Sequence, residues 1–168
     1  MTKNLIARAG LGALVLGCAA IGFGQSSGNL GLSPRIGAVF PTSSEGHGSF
    51  FAVGADYKLK ALSSSVSGSS LGYWGVSVDY YDRGSASNLP VVLNYNMRQG
   101  SLVYSLGAGI EFYDTGGSNS SSGTGFDAQA AISYDIKTPV LPLFLQAKFF
   151  LASHDADRGI GVYAGVRF

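Results

Sequence analysis

From Leu32 onward, apolar and polar residues alternate with period two, and this constrains the chain more than any other feature of it. Eight stretches carry the alternation: Leu32–Phe40, Phe51–Leu59, Tyr73–Tyr81, Leu89–Arg98, Leu102–Tyr113, Phe126–Asp135, Leu141–Leu151 and Ile160–Phe168. Each is close to the ~9–11 residues a tilted strand needs to cross a bilayer. Glycine, β-branched and aromatic residues fall throughout them, which disfavours helices. Taking every second residue gives faces such as Leu32, Pro34, Ile36, Ala38, Phe40 and Leu89, Val91, Leu93, Tyr95, Met97, free of charge, amide and aliphatic hydroxyl. The opposite face holds Arg35, Asp56, Lys58, Asp79, Arg98, Glu111, Asp127, Asp135, Lys148 and Arg167, five positive and five negative charges. Glycines 37, 54, 75, 107, 109, 161 and 165 share that face.

Composition narrows the class. Charged residues make up 12% of the chain, half the ~25% of an average soluble domain, while 46% are hydrophobic. Global disorder is disfavoured. With 11 basic and 10 acidic residues, nucleic-acid binding through bulk charge is excluded. No apolar run in the body of the chain reaches the length of a membrane helix. A charge-poor, glycine-rich chain of this kind can sit in lipid only as a closed barrel.

Residues 1–24 read as a cleaved secretory signal peptide: Lys3 and Arg8, then the uncharged run Ala9–Phe23, then Gly24 before polar Gln25–Ser27. Residues 25–168 form the barrel domain. Cys18 reads as a small apolar residue of the signal, which leaves the processed chain without a disulfide or thiol chemistry.

Alternation alone does not say which face is inside. A soluble periplasmic barrel would enclose a ligand with its apolar face, whereas a membrane barrel turns that face to lipid. Three patterns favour lipid. The polar face mixes small and large residues, as a crowded lumen requires. Aromatics on the apolar face bracket strands, as Phe51 and Tyr57, Trp74 and Tyr80, Tyr104 and Phe112, and Phe126 and Tyr134 do. Pairs so spaced lie roughly 15–21 Å apart along the barrel axis, suiting interfacial girdles. Connections tend to alternate between tight (Gln99–Gly100, Ile136–Val140) and long (Pro41–Phe50, Asp82–Asn88, Asp114–Gly125, Ala152–Gly159), the long ones being extracellular if the termini face the periplasm. The serine-rich segment Lys60–Gly72 breaks this rule.

The chain runs to its end inside a strand, with Ile160, Val162, Ala164, Val166 and Phe168 apolar at alternate positions and a terminal aromatic. On these residues it resembles the small eight-stranded outer-membrane barrels of the OmpA, OmpX and OmpW type. The resemblance implies an antiparallel up-and-down transmembrane β-barrel in a bacterial outer membrane. It also implies that Val162, Ala164, Val166 and Phe168 are read by the barrel-assembly machinery. The usual glycine near the end is shifted, with Gly161 and Gly165 flanking Tyr163.

A search for chemistry gives little. His47 and His154 fall in expected loops, and no cysteine pair or ligand-spaced carboxylates appear. Gly107-Ala108-Gly109 precedes no helix, so it is no dinucleotide loop. Asn119-Ser120-Ser121 fits a glycosylation sequon in a serine-rich loop. Some outer-membrane barrels act on lipid A with a serine and a histidine near one rim, and Ser153-His154-Asp155 is similar in composition. Neighbours on a strand point to opposite faces, which separates Ser153 from His154, and Ala156 stands where a His-x-Ser pattern needs serine. The expectation is therefore no enzyme, with no catalytic, cofactor-binding or metal-ligating residues and no cofactor. The ten inward charges are expected to pair and plug a lumen barely wide enough for its side chains. The expected partners are outer-membrane lipid and, during insertion, the assembly machinery, with an unidentified extracellular partner at the loops. A narrow pore and a soluble ligand-binding barrel are the alternatives.

Overall fold

The computed structural model describes residues 31–42, 48–65, 70–83, 86–115, 121–139, 141–153 and 158–168. Eight strands, β1 (Leu32–Pro41), β2 (Phe50–Ser65), β3 (Ser70–Arg83), β4 (Ala86–Gln99), β5 (Leu102–Asp114), β6 (Ser122–Ile136), β7 (Leu143–Ala152) and β8 (Gly159–Val166), form a closed barrel in chain order. Every neighbouring pair is antiparallel, including β1 with β8. Closure leaves no strand edge unpaired. Beyond β8 the ladder continues: Gly31 N–H donates to the Phe168 carbonyl at 2.9 Å, and Phe168 N–H donates to the Leu32 carbonyl at 2.8 Å.

One end of the barrel, the turn end, carries Gly31, Phe168 and the β2–β3, β4–β5 and β6–β7 connections. The other, the loop end, carries the remaining four. At the turn end Gln99 pairs with Leu102, so Gly100 and Ser101 make a two-residue turn. Gly100 has φ +61°, a conformation that disfavours a side chain.

The apolar face points outward. Ile36, Leu93, Leu106, Ile110, Leu145, Leu151 and Val162 are all exposed, and β7 alternates exposed and buried residues along its whole length. Most aromatics on this wall are sorted by type, Tyr80 near the loop end being an exception. Phe40, Phe51, Phe112, Phe126 and Phe149 lie toward the loop end, whereas Tyr57, Trp74, Tyr95, Tyr104 and Tyr134 lie toward the turn end. Trp74 and Tyr95 are cross-strand partners in edge contact at 5.4 Å. Tyrosine and tryptophan combine an apolar body with a polar handle, so they suit a level where hydrocarbon meets headgroups.

The strands outrun their apolar alternation. The segment expected as a long connection, Lys60–Gly72, is largely a hairpin: β2 continues to Ser65, and Ser64 and Ser65 pair with Gly72 and Leu71 past an irregularity after Leu59. Likewise β3 and β4 reach Arg83 and Ala86, where a loop from Asp82 to Asn88 was expected. These extensions are held by backbone hydrogen bonds and need no apolar outer face. β7 begins at Leu143 rather than Leu141, and β8 ends at Val166 although the ladder bonds reach Phe168. The expected signal segment 1–24, Cys18, His47, Asn119-Ser120 and His154-Asp155 lie outside the described residues.

Candidate functional site

The lumen is where the chain concentrates its chemistry, and all ten charges expected there lie on its inward-facing positions. They do not form one chain of pairs. At the centre, Arg35 Nη1 lies 2.5 Å from Asp56 Oδ2 and Nη2 lies 2.7 Å from Asp79 Oδ1. Lys148 Nζ reaches Asp79 Oδ2 at 2.8 Å, and Ser77 Oγ accepts from both Arg35 and Lys148. Arg35, Asp79 and Lys148 are buried, so this knot of two cations and two carboxylates fills the barrel where a channel would have to pass.

Toward the loop end the knot is capped by an aromatic layer. Val39, Phe50, Ala52, Tyr81, Phe150 and Tyr163 form one buried cluster. Tyr81 packs on Phe50 and Phe150, and the Arg35 guanidinium lies 5.3 Å from the Tyr163 ring centroid. The inward glycines make room for these rings. A Cβ at Gly37 would sit 2.0 Å from the Val162 carbonyl oxygen and 2.8 Å from the Tyr163 ring. Sequence reading missed this layer because it followed the charges; the glycines packed against Tyr163 and Phe150 were its signal.

Beside the aromatic layer, on β4 to β7, sits an acidic patch. Glu111 accepts hydrogen bonds from Asn88 Nδ2 and Ser153 Oγ, each at 2.9 Å. Asp127, paired with Gly109 two positions from Glu111 on β5, is fully buried, and neither carboxylate oxygen has a hydrogen-bond partner among the described residues. The strand-alternation argument separated Ser153 from His154, which lies outside the described residues. β7 ends at Ala152, so Ser153 lies beyond the strand and its hydroxyl turns to Glu111 while accepting from Phe126 N–H at 3.0 Å.

At the turn end, Asp135 accepts from Arg98 Nη1 and Arg167 Nε, both at 2.5 Å, and Arg167 Nη2 donates to Ser133 Oγ at 2.7 Å. A cavity of about 280 Å³ opens beside this group. Lys58 departs from the expected pairing with a carboxylate: its ammonium lies 4.9 Å from the Tyr73 ring centroid, a cation–π contact. Among the described residues no cluster of three or more histidine, cysteine or carboxylate side chains could hold a metal.

No protein-family model matches the chain, and no curated protein matches it. Among solved structures it is similar to one titled as the crystal structure of the outer membrane enzyme PagL, with TM-score 0.50 and 15% identity over 80% of this chain and 95% of that one. The likeness is one of fold: the chain has the architecture of a small eight-stranded outer-membrane barrel. It also corrects the expectation that the chain is no enzyme, because this same barrel architecture houses an enzyme in PagL.

Proposed function

We propose that the protein is an integral barrel of a bacterial outer membrane, sealed through its centre, that works by contacts at its loop end. One observation carries the reading: a continuous apolar wall faces outward around a lumen closed by the Arg35–Asp56–Asp79–Lys148 knot and the aromatic layer over it. The outward wall weighs against a soluble ligand-binding barrel, and the filled lumen weighs against a pore. In planar bilayers the protein should give no steady conductance, and the double variant Phe150→Ala/Tyr163→Ala should leak. A large, steady current from the unaltered protein would replace this reading with the narrow pore. Membrane fractionation with heat-dependent gel mobility tests the location.

Kinship with the OmpA, OmpX and OmpW barrels rests on the final strand. In this reading Val162, Ala164, Val166 and Phe168 present the edge recognised by the assembly machinery, and deleting Phe168 lowers outer-membrane levels. Normal levels of the truncated chain would count against it.

A second reading is favoured by Ser153. A hydroxyl donating to a buried carboxylate at the loop end is a nucleophile with an acceptor for its proton in place. Combined with the PagL likeness, this suggests ester hydrolysis on an outer-leaflet lipid. Released fatty acid from lipopolysaccharide-containing vesicles, lost in Ser153→Ala with the barrel intact, would establish it.

A further inference from the structure

The turn-end cavity holds more positive charge than its own carboxylate uses. Arg98, Lys137 and Arg167 line it against the single acid Asp135. A guanidinium carries five N–H donors. The described residues take one from Arg98 and two from Arg167, so donors remain on both arginines. Arg98 keeps a third of its side chain exposed. The arginines are held in place, because Asp135 grips both, Asp135 N–H bonds to Ser101 and Arg167 N–H bonds to Pro142. Fixed, planar, incompletely used guanidinium groups suit phosphate oxygens.

The other wall of the same cavity is apolar. Ile136, Pro142 and Leu143 line it, and Leu143 continues into the outward row with Leu145. Tyr134, adjacent in sequence to Asp135, belongs to the tyrosine and tryptophan belt that marks this end of the wall. A cavity whose cations sit beside that belt, and whose far side merges with the lipid-facing wall, lies where lipid headgroups would lie. Its volume, about 280 Å³, is below the ~300–1,000 Å³ of pockets for drug-sized ligands. That room fits a headgroup with its acyl chains left outside along Leu143 and Leu145.

We propose that this cavity binds the phosphate of an anionic glycerophospholipid from the leaflet at the turn end. The lipid source rests on the membrane reading above, whereas the phosphate chemistry rests on the cavity alone. Asp135 is a positioning residue: it holds the two arginines and offsets part of their charge.

The test uses the full chain in vesicles of phosphatidylcholine with a minor fraction of phosphatidylglycerol, and native mass spectrometry to count lipid retained on the protein. The unaltered protein should retain phosphatidylglycerol in preference to phosphatidylcholine. Arg98→Gln and Lys137→Gln should each retain it about tenfold less tightly, the loss of one charge-assisted contact. Arg158→Gln, the same charge change at the loop end, should match the unaltered protein. Asp135→Asn, which loosens the grip on both arginines, should weaken retention, and Asp135→Glu should restore it. Equal retention by Arg98→Gln and the unaltered protein, or undiminished retention in Asp135→Asn, would overturn the proposal. Displacement by inorganic phosphate at concentrations matching the lipid would reassign the cavity to free phosphate and overturn the lipid source. Failure of the protein to enter vesicles at all would refute the membrane reading separately, and phosphate binding to Arg98 and Lys137 in detergent would then be read on its own.

Discussion

The two ends of this barrel solve opposite problems with the same alternating strands. At the loop end the lumen is packed with rings, and phenylalanine dominates the outer wall. At the turn end the lumen carries two arginines on one aspartate beside a cavity, and the wall carries tyrosine and tryptophan. Arginine occurs in different states at the centre of the lumen and at the turn end. Arg35, just beneath the aromatic layer, has no exposed side-chain surface and satisfies two carboxylates, whereas Arg98 is partly exposed and shares its only described carboxylate with Arg167. The same side chain is structural in one place and available in the other, and burial decides which.

The sharpest way to break this contrast is Arg35→Ala. It strands Asp56 and buried Asp79 without their guanidinium and should cost about 3–5 kcal/mol in urea unfolding from vesicles. A cost near that of an exposed pair would mean the knot is solvated. Next, Leu93→Arg places a charge on the outer wall and should cost about 2–4 kcal/mol, more than Leu93→Ala in the same assay. Equal tolerance of both would contradict a lipid-facing wall. Gly37→Ala forces a methyl against the Val162 carbonyl and the Tyr163 ring, and about 1–3 kcal/mol of overpacking is expected. If Tyr163→Ala relieves that cost, the glycine serves the ring; if not, the backbone contact dominates. The smallest change should come from Arg98→Ala, at most about 1 kcal/mol because its pair is partly exposed and Arg167 still holds Asp135. A loss as large as that of Arg35→Ala would erase the distinction between the buried central arginine and the available one at the turn end.

How much of this was legible in the sequence follows from what each part depends on. Strand number, facing and the inward placement of all ten charges follow from period two, because a strand between lipid and lumen must alternate. The hairpin beyond Leu59 was not legible, since above or below the apolar band only backbone pairing holds the strands and the side chains can be anything polar. The partners of the inward charges depend on register and tilt, which place Lys148 on Asp79 from distant strands and leave Lys58 on Tyr73. The hydrogen bond from Ser153 to Glu111 was not legible, because Ser153 lies one residue past the end of β7, where period two no longer sets facing. The turn-end cavity joins Arg98 from the end of β4, Asp135 from the end of β6 and Arg167 from just after β8, and nothing local in the sequence marks their meeting.

The seam between β1 and β8 sets a condition on biosynthesis. Arg35 lies opposite Gly165 and Pro41 opposite Gly159, so the pairing that closes the cylinder joins segments from opposite ends of the chain. Contacts so distant in sequence are slow to form and reward the chain only after most of its entropy has been spent. Until β8 has left the ribosome, β1 has no second neighbour, and its open edge would template aggregation. The cylinder therefore closes only when both ends of the described barrel are present, and the ladder that forms last is the one that removes both open edges at once.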